Sequence, residues 1–316
     1  SAFAPVRHDP GAFDNEPLAA YNVGPDALLL AHNALRVRLL PQAVGAPALW
    51  AEPPLDGVQI DNRVQQVEGE CGDWKDSLAA KVMPAADRSM LTLQITGRFA
   101  RPCGERIWNI APLPADEFFA RALRAMWAEL GGRITGRVRD GATPTNALPL
   151  AGIDSPPLAE VIRDINKYSN NVMARQLFLA LSPSGVPADT VGAAAGVRAW
   201  AAQRNLPLPS LVMDNGSGLS RTERLSAYDL AALLRRAWAS PVMPEFVSSM
   251  PVLAVDGTLR RRLKTSPLAG QAHLKTGSLA DTRSIAGYVL DRNGQRVLMV
   301  AWLNHPNAKR AQPVLE

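Results

Sequence analysis

The chain has 316 residues, of which 47% are hydrophobic and 20% are charged. A chain of this length can bury more than one hydrophobic core, which predicts two or three domains. It contains no stretch of roughly eighteen unbroken apolar residues, as a membrane span would need, and its opening residues lack the basic and apolar regions of a signal peptide. The net charge of +5 comes from basic residues dispersed along the chain, which argues against a nucleic-acid-binding protein.

The first half of the chain has short apolar runs separated by proline and glycine, a pattern typical of β-rich and irregular structure. A helix is predicted at about residues 115–130, where apolar residues recur at helical spacing until Gly131 and Gly132 end the pattern. The segment from Arg133 to Val138 then predicts a short strand.

The two cysteines, Cys71 and Cys103, each follow a strand-like stretch. One interpretation is a disulfide between neighbouring strands in an oxidising compartment, and the other is a pair of free buried thiols in a cytosolic protein. Spacing alone leaves both open. No Cys-x-x-Cys motif or His/Cys cluster predicts a metal site.

From about residue 155 the pattern changes to long helices, followed by strands near the end of the chain. Helices are expected to begin near Ser155 and to cover about residues 172–181, 189–204 and 226–239. Strands are expected at about 273–279, 285–290 and 296–303. Because Asn293-Gly294 predicts a hairpin turn between the last two, these strands should be antiparallel neighbours in one sheet.

The tripeptide Lys275-Thr276-Gly277 lies on the first of these strands. Lysine is scarce, with six in the whole chain, so the combination is uncommon by chance. Gly277 is small at a position where bulk would obstruct a substrate lying along the strand. A surface lysine beside an ordinary strand end is the alternative.

A second candidate motif, Ser169-Asn170-Asn171, lies at the junction of two predicted helices about a hundred residues earlier. A Ser-x-Asn tripeptide occurs by chance about once in a chain of this composition. Its position between two predicted helices is therefore more informative than the tripeptide itself. A helix cap is the alternative interpretation.

With both motifs in this order, the chain resembles the class C low-molecular-mass penicillin-binding proteins, the D-alanyl-D-alanine carboxypeptidase/endopeptidases. The resemblance runs from near residue 10 to the end of the chain. Its further family-like stretches are Tyr21–Ala27, Asp214–Arg221, Asp256–Leu259 and Lys275–Leu279.

The resemblance implies a mixed α/β (α+β) fold, in which a transpeptidase/β-lactamase-like domain with an antiparallel sheet flanked by helices carries β-rich inserted domains. We expect the transpeptidase-like, penicillin-binding domain at residues 151–316. Residues 24–109 would form an inserted β-rich domain with a Cys71–Cys103 disulfide. Residues 1–23 and 110–150 would form a second domain whose front part is missing.

The resemblance also implies a role for each motif residue. Lys275 would supply positive potential, Thr276 would bind the terminal carboxylate of the substrate, and the backbone N–H of Ser278 would contribute to the oxyanion hole. Ser169 would relay protons between the nucleophile and the leaving amine, while the amide of Asn171 would bind a backbone carbonyl of the substrate.

Arg221 is the remaining substrate-binding candidate. By resemblance it contacts the acidic end of the diamino acid in the peptidoglycan stem peptide, and a surface ion pair is the alternative. Related proteins often have a polar residue where this chain has Ala280, so recognition of that side chain is expected to differ.

The implied function is serine-type D-Ala-D-Ala carboxypeptidase/endopeptidase activity in peptidoglycan remodelling in the periplasm, with no cofactor. Stem peptides and β-lactam antibiotics are the implied partners, with peripheral association with the cell envelope. A β-lactamase-like hydrolase and a non-catalytic peptidoglycan-binding or assembly module are the alternatives.

The motif Ser-x-x-Lys, which holds the nucleophile and its lysine base in such enzymes, does not occur in the chain. The nearest approach is Ser77 with Lys81, whose spacing is one residue too long. We therefore expect a fragment of a longer protein whose preceding segment carries the nucleophile. A naturally reduced homologue that binds without reacting is the alternative.

Overall fold

Buried apolar residues alternate along the strands Leu35–Leu40 and Leu91–Ala100 and recur at helical spacing in the helix Ala115–Glu129, so these elements present one side to a core. The computed structural model describes residues 2–4, 8–87, 89–139, 141–183 and 187–315. The chain divides into two compact units, one of residues 7–148 and one of residues 1–6 with 149–316. The expected mixed α/β fold with antiparallel sheets and flanking helices is confirmed. The sequence-based domain boundaries stay predictions.

The unit of residues 7–148 is rich in strands. Its elements are β1 (Leu35–Leu40), β2 (Ala48–Glu52), β3 (Val58–Val67), β4 (Leu78–Pro84), β5 (Leu91–Ala100), β6 (Arg106–Ile110) and α1 (Ala115–Glu129). One sheet has the order β2-β1-β6 and another has the order β3-β5-β4. Alternate residues Leu91, Leu93 and Ile95 of the central strand β5 are buried in a core that also includes Phe118 of α1. The predicted helix at 115–130 is confirmed.

The Cys71–Cys103 disulfide is present in this unit, which settles the choice between a disulfide and free thiols. Strands β3 and β5 pair in parallel, with Val67 opposite Ala100. Because neighbouring parallel strands end at the same edge of a sheet, the cysteines that follow them are brought together. Their Cα atoms are 4.7 Å apart, within the range that a disulfide requires.

The predicted strand at Arg133–Val138 is wrong, because these residues have no strand structure. Their backbone acceptors are used by a side chain of α1: Arg124 donates to the carbonyl oxygens of Ile134, at 3.1 Å, and of Gly136. Ile134 is half-buried, so its carbonyl group needs a donor from some source, and here a guanidinium group takes the place of a partner strand.

The unit of residues 1–6 and 149–316 combines helices with an antiparallel sheet. Its elements are α2 (Leu158–Tyr168), α3 (Asn171–Leu179), α4 (Thr190–Gln203), α5 (Ala227–Trp238), α6 (Met243–Ser249), β7 (Ala272–Ser278), β8 (Thr282–Leu290) and β9 (Arg296–Asn304). The sheet has the order β7-β8-β9 with antiparallel pairing throughout. The predicted helices, strands and hairpin of this half are thus confirmed. Among the described residues, no helix combines the length and apolarity that crossing a bilayer requires.

Both faces of this sheet are covered. On one face, Leu274 and Ile285 pack in a cluster with Leu253 and Leu259. On the other face, Tyr288 packs in a cluster with residues of α5 and α6. Its hydroxyl donates to the carbonyl oxygen of Leu234 at 2.7 Å, which satisfies the polar end of a fully buried ring.

The C-terminal end of α2 is fastened to neighbouring segments by two polar side chains. Asn166 donates to the hydroxyl of the buried Ser249 at 2.8 Å. Lys167 forms an ion pair of 2.6 Å with Asp256 and donates to the carbonyl oxygen of Met250 at 2.7 Å. Because most of the Lys167 side chain is shielded from water, these contacts are stronger than those of an exposed pair. They fix the position at which α2 ends.

A glycine permits this close packing against α2. Gly257 has a φ of +55°, and a Cβ atom at this position would lie 2.7 Å from the carbonyl oxygen of Lys167. Both the left-handed backbone and the short approach exclude a side chain. The Asp256–Leu259 stretch therefore has a structural role, since it holds the end of α2.

Replacing both cysteines, Cys71→Ala with Cys103→Ala, is expected to lower the free energy of unfolding of the 7–148 unit by about 3 to 4 kcal/mol. The reason is that the disulfide closes a loop of 32 residues, which restricts the unfolded chain. Urea unfolding followed by circular dichroism measures the change. As a control, reductant should destabilise the original protein and leave the double variant unaffected; a reductant-insensitive original protein would contradict the prediction.

Gly257→Ala is expected to destabilise its unit more than Gly270→Ala. Both glycines have positive φ, but a Cβ at Gly270 meets its nearest neighbour only at 4.0 Å. Both variants pay about 1 to 2 kcal/mol for left-handed backbone, and only Gly257→Ala adds about 1 to 3 kcal/mol of overpacking. Urea unfolding compares the two, and equal losses of stability would show that the approach to Lys167 does not matter.

Candidate active site

The junction between α2 and α3 places Ser169 and Asn171 on the surface of the helical layer. Ser169 ends α2 with a left-handed backbone, at φ 54° and ψ 47°. Asn170 caps α3, because its side-chain oxygen accepts from the backbone N–H of Met173 at 3.0 Å. A helix cap was the alternative interpretation of the Ser169-Asn170-Asn171 motif. The cap is present, and it is made by the middle residue, Asn170. The side chains of Ser169 and Asn171 are left for other contacts.

Lys275 of β7 meets Ser169. Its ammonium nitrogen Nζ donates to Ser169 Oγ at 2.8 Å and to the carbonyl oxygen of Thr276 at 2.6 Å. Burial lowers the pKa of the Lys275 ammonium group, because removal from water penalises the charged form. The structure thus joins the two motifs that the sequence separates by about a hundred residues.

The strand that follows Lys275 is shaped by its neighbour β8. Gly277 lies opposite Ser284, and a Cβ atom on Gly277 would lie 2.4 Å from the Ser284 hydroxyl oxygen. Ser278 ends the strand opposite Arg283. Within the described part of the chain, no strand pairs with the outer edge of residues 275–278. This edge can accept an extended peptide as an additional strand.

Asn171 is held by the loop of residues 214–219. Its side-chain nitrogen Nδ2 donates to the carbonyl oxygen of Ser217 at 2.9 Å. An asparagine amide has two N–H donors and a carbonyl acceptor, and this contact uses one of the donors. The amide therefore has a fixed orientation and keeps further hydrogen-bonding capacity for a ligand.

An open cleft of about 650 Å³ extends from this loop to the turn after β7. Arg221 lies in its wall, together with Leu279 and Asp281. An ion pair of 3.3 Å joins Arg221 to Asp281, and about half of each side chain is exposed. The surface ion pair expected as the alternative for Arg221 is thus present, in a cleft that a ligand can enter.

The predicted site residues fall into two groups. Ser169 and Lys275 are in direct contact, with Asn171, Thr276, Gly277 and Ser278 on the same two segments, whereas Arg221 lies in the cleft. The catalytic and binding roles of all seven residues stay predictions. Sequence reasoning missed Asp281 and Glu223, which also line the cleft. Neither residue is part of a periodic pattern, and Asp281 lies 60 residues along the chain from Arg221, its partner in the ion pair.

The chain matches the D-Ala-D-Ala carboxypeptidase 3 (S13) family over residues 1–314. It is 26% identical to the D-alanyl-D-alanine carboxypeptidase of Actinomadura sp. (strain R39), with 92% of this chain and 56% of that protein covered. It is 25% identical to the D-alanyl-D-alanine carboxypeptidase DacB of Haemophilus influenzae, with 67% of this chain and 45% of that protein covered.

Among solved structures, the fold is similar to that of penicillin-binding protein 4 (dacB) from Haemophilus influenzae, with a TM-score of 0.73 and 22% identity. The match covers 96% of this chain and 67% of that chain. The chain spans about half the length of the curated relatives it matches. From the match over nearly every residue, the chain belongs to the D-Ala-D-Ala carboxypeptidase 3 (S13) family.

Proposed function

We propose that this chain forms the binding strand and proton-relay side of a serine acyl-transfer site that acts on peptides ending in D-Ala-D-Ala. The observation that carries the proposal is the 2.8 Å hydrogen bond from Lys275 to Ser169 at the edge of the sheet. It gives a hydroxyl group a defined proton donor next to a strand edge that can bind a peptide. The names of the curated relatives support the substrate class.

Lys275 and Ser169 act together in this proposal. The buried ammonium group provides positive potential for the carboxylate of the substrate, and in a shielded site this potential is stronger than in water. Ser169 accepts a hydrogen bond from Lys275 and can donate its own proton elsewhere, since a hydroxyl is both donor and acceptor. It can therefore pass a proton to the amine that leaves the substrate.

The remaining motif residues bind the peptide. The substrate lies as an extended strand along residues 275–278, with its terminal carboxylate at the Thr276 hydroxyl. Gly277 leaves room beside the strand, and the N–H of Ser278 supplies one donor to the oxyanion. Asn171 binds a backbone carbonyl of the substrate. Arg221, in the cleft, binds the acidic end of the side chain of the stem peptide.

The covalent step belongs to the whole protein, because the 316 residues contain no Ser-x-x-Lys motif. In the proposed reaction a serine oxygen bonds to the carbonyl carbon of the penultimate D-alanine, and a lysine takes the serine proton. The terminal D-alanine leaves as an amine, protonated by the relay through Ser169, and water then hydrolyses the ester. Hydrolysis of peptide cross-links follows the same steps with a different leaving amine.

We also propose a periplasmic location and β-lactam antibiotics as inhibitors. The Cys71–Cys103 disulfide supports an oxidising compartment. For the antibiotics, support comes from a similar fold, with a TM-score of 0.66, in penicillin-binding protein 4 of Haemophilus influenzae complexed with a novel β-lactam.

The full-length protein is expected to become covalently labelled by a fluorescent penicillin. Lys275→Ala and Ser169→Ala should each lower the second-order rate constant of labelling by about 100-fold or more, the scale of losing one charge-stabilising group. The matched controls Lys264→Ala and Ser248→Ala change exposed residues and should label normally. Absence of labelling, or labelling that survives both active-site changes, would refute the proposal. Steady hydrolysis of the penicillin would favour a β-lactamase.

The rate constant of labelling is also expected to fall as the pH rises. This alkaline limb should lie at a pH below the ordinary pKa of lysine. Burial lowers the pKa of Lys275, so the ammonium form is complete below this shifted value and is lost as the pH rises through it. Lys275→Arg keeps its charge throughout this range and should abolish the alkaline limb. If the alkaline limb is the same in Lys275→Arg, it is caused by the titration of another group.

A further inference from the structure

Glu223 organises the loop that holds Asn171. Its carboxylate oxygen Oε1 accepts from the backbone N–H groups of Asp214, Asn215 and Gly216, at 3.3, 3.1 and 2.9 Å. Successive backbone N–H groups that converge on one point form a site for an anion. In this protein the anion is a side chain of the chain itself.

A second set of hydrogen bonds fixes the other half of the loop. Asn215 Oδ1 accepts from the backbone N–H and the hydroxyl of Ser217, at 3.0 and 2.6 Å. Asn215 Nδ2 donates to the carbonyl oxygen of Leu219 at 3.0 Å. The left-handed Gly216, at φ +72°, lies so close to Phe178 that a Cβ atom would overlap the phenyl side chain. The loop therefore has little freedom to move once Glu223 is bound.

This loop also interacts with two polar side chains of α3. The carbonyl oxygen of Ser217 accepts from the amide of Asn171. Arg175 lies one turn further along α3 on the same face, and it is only 4% exposed. Burial lowers the pKa of the Arg175 guanidinium group, and the negative charges of Glu223 and Asp214 act in the opposite direction. The cation on α3 thus attracts the carboxylate that shapes the loop.

We propose that Glu223 is a positioning residue, which orients the amide of Asn171 by holding the 214–219 loop against α3. In this role Glu223 acts through Asn171. Its effect on acylation rests on the proposed function, whereas its effect on the Asn171 amide does not. The two effects are therefore measured separately.

The orientation of Asn171 can be measured by NMR on the 316-residue chain, in which Asn171→Ala identifies the side-chain amide signal. Glu223→Ala should shift or broaden this signal, because the three N–H groups lose their acceptor. Glu223→Gln retains an oxygen acceptor and should leave the signal near its original position. Glu245→Ala, which removes an exposed glutamate on α6, is the control. An Asn171 signal unmoved by Glu223→Ala would overturn the proposal.

Folding of each variant is checked by circular dichroism. Should Glu223→Ala fail to fold, Glu223→Asp replaces it, since the charge remains but the side chain is one methylene shorter and cannot reach all three N–H groups. The same signal is then expected to move in Glu223→Asp and to stay in Glu223→Gln. A signal that stays in Glu223→Asp would overturn the proposal in that case.

The consequence for the reaction is measured with fluorescent penicillin on the full-length protein. Glu223→Ala should slow labelling by about 10- to 100-fold, the scale on which a misplaced group slows a reaction. The double variant with Asn171→Ala should be no slower than Asn171→Ala alone, because both changes remove the same interaction. Effects that multiply would overturn the proposal. An unlabelled original protein would refute the proposed function, and the NMR result would still decide the role of Glu223.

Discussion

A lysine ammonium group that is removed from bulk water needs hydrogen-bond acceptors, and Lys275 finds one in a serine that lies 106 residues away along the chain. This contact constrains both sides of the site. Ser169 must be held at a fixed place at the end of α2, and Lys275 must be held by the sheet. The carbonyl oxygen of Thr276 supplies a further acceptor. Much of the surrounding structure can be understood as support for this hydrogen bond.

The support for Ser169 is polar and specific. The ion pair of Lys167 with Asp256 and the contact of Asn166 with Ser249 fasten the last turn of α2, and the absence of a side chain at Gly257 lets the backbone approach. On the other side, β7 is the edge strand of its sheet and is fixed by its full pairing with β8. A site built from rigid elements in this way holds its groups more accurately than a site built on loops.

Much of this arrangement could be predicted from the sequence, because it depends on local patterns. Helical periodicity and the Asn293-Gly294 turn located the helices and the hairpin. The order of the two tripeptides carried the family resemblance, which implied that Ser169 and Lys275 belong to one site. The contacts of Glu223 and Asp281 could not be predicted, since each depends on a loop conformation that no periodic pattern encodes. The prediction of a strand at 133–138 was wrong for a similar reason. Arg124 donates to carbonyl groups that would otherwise have bonded to a partner strand.

The central claim is that the edge of β7 beside Ser169 is the place where the acyl group forms. A crystal structure of the full-length protein after reaction with benzylpenicillin tests it most directly. The account predicts an acylated serine within hydrogen-bonding distance of Ser169 or Lys275, with the carboxylate of the antibiotic at the Thr276 hydroxyl. An adduct on a serine remote from β7, with the edge of residues 275–278 left empty, would contradict it.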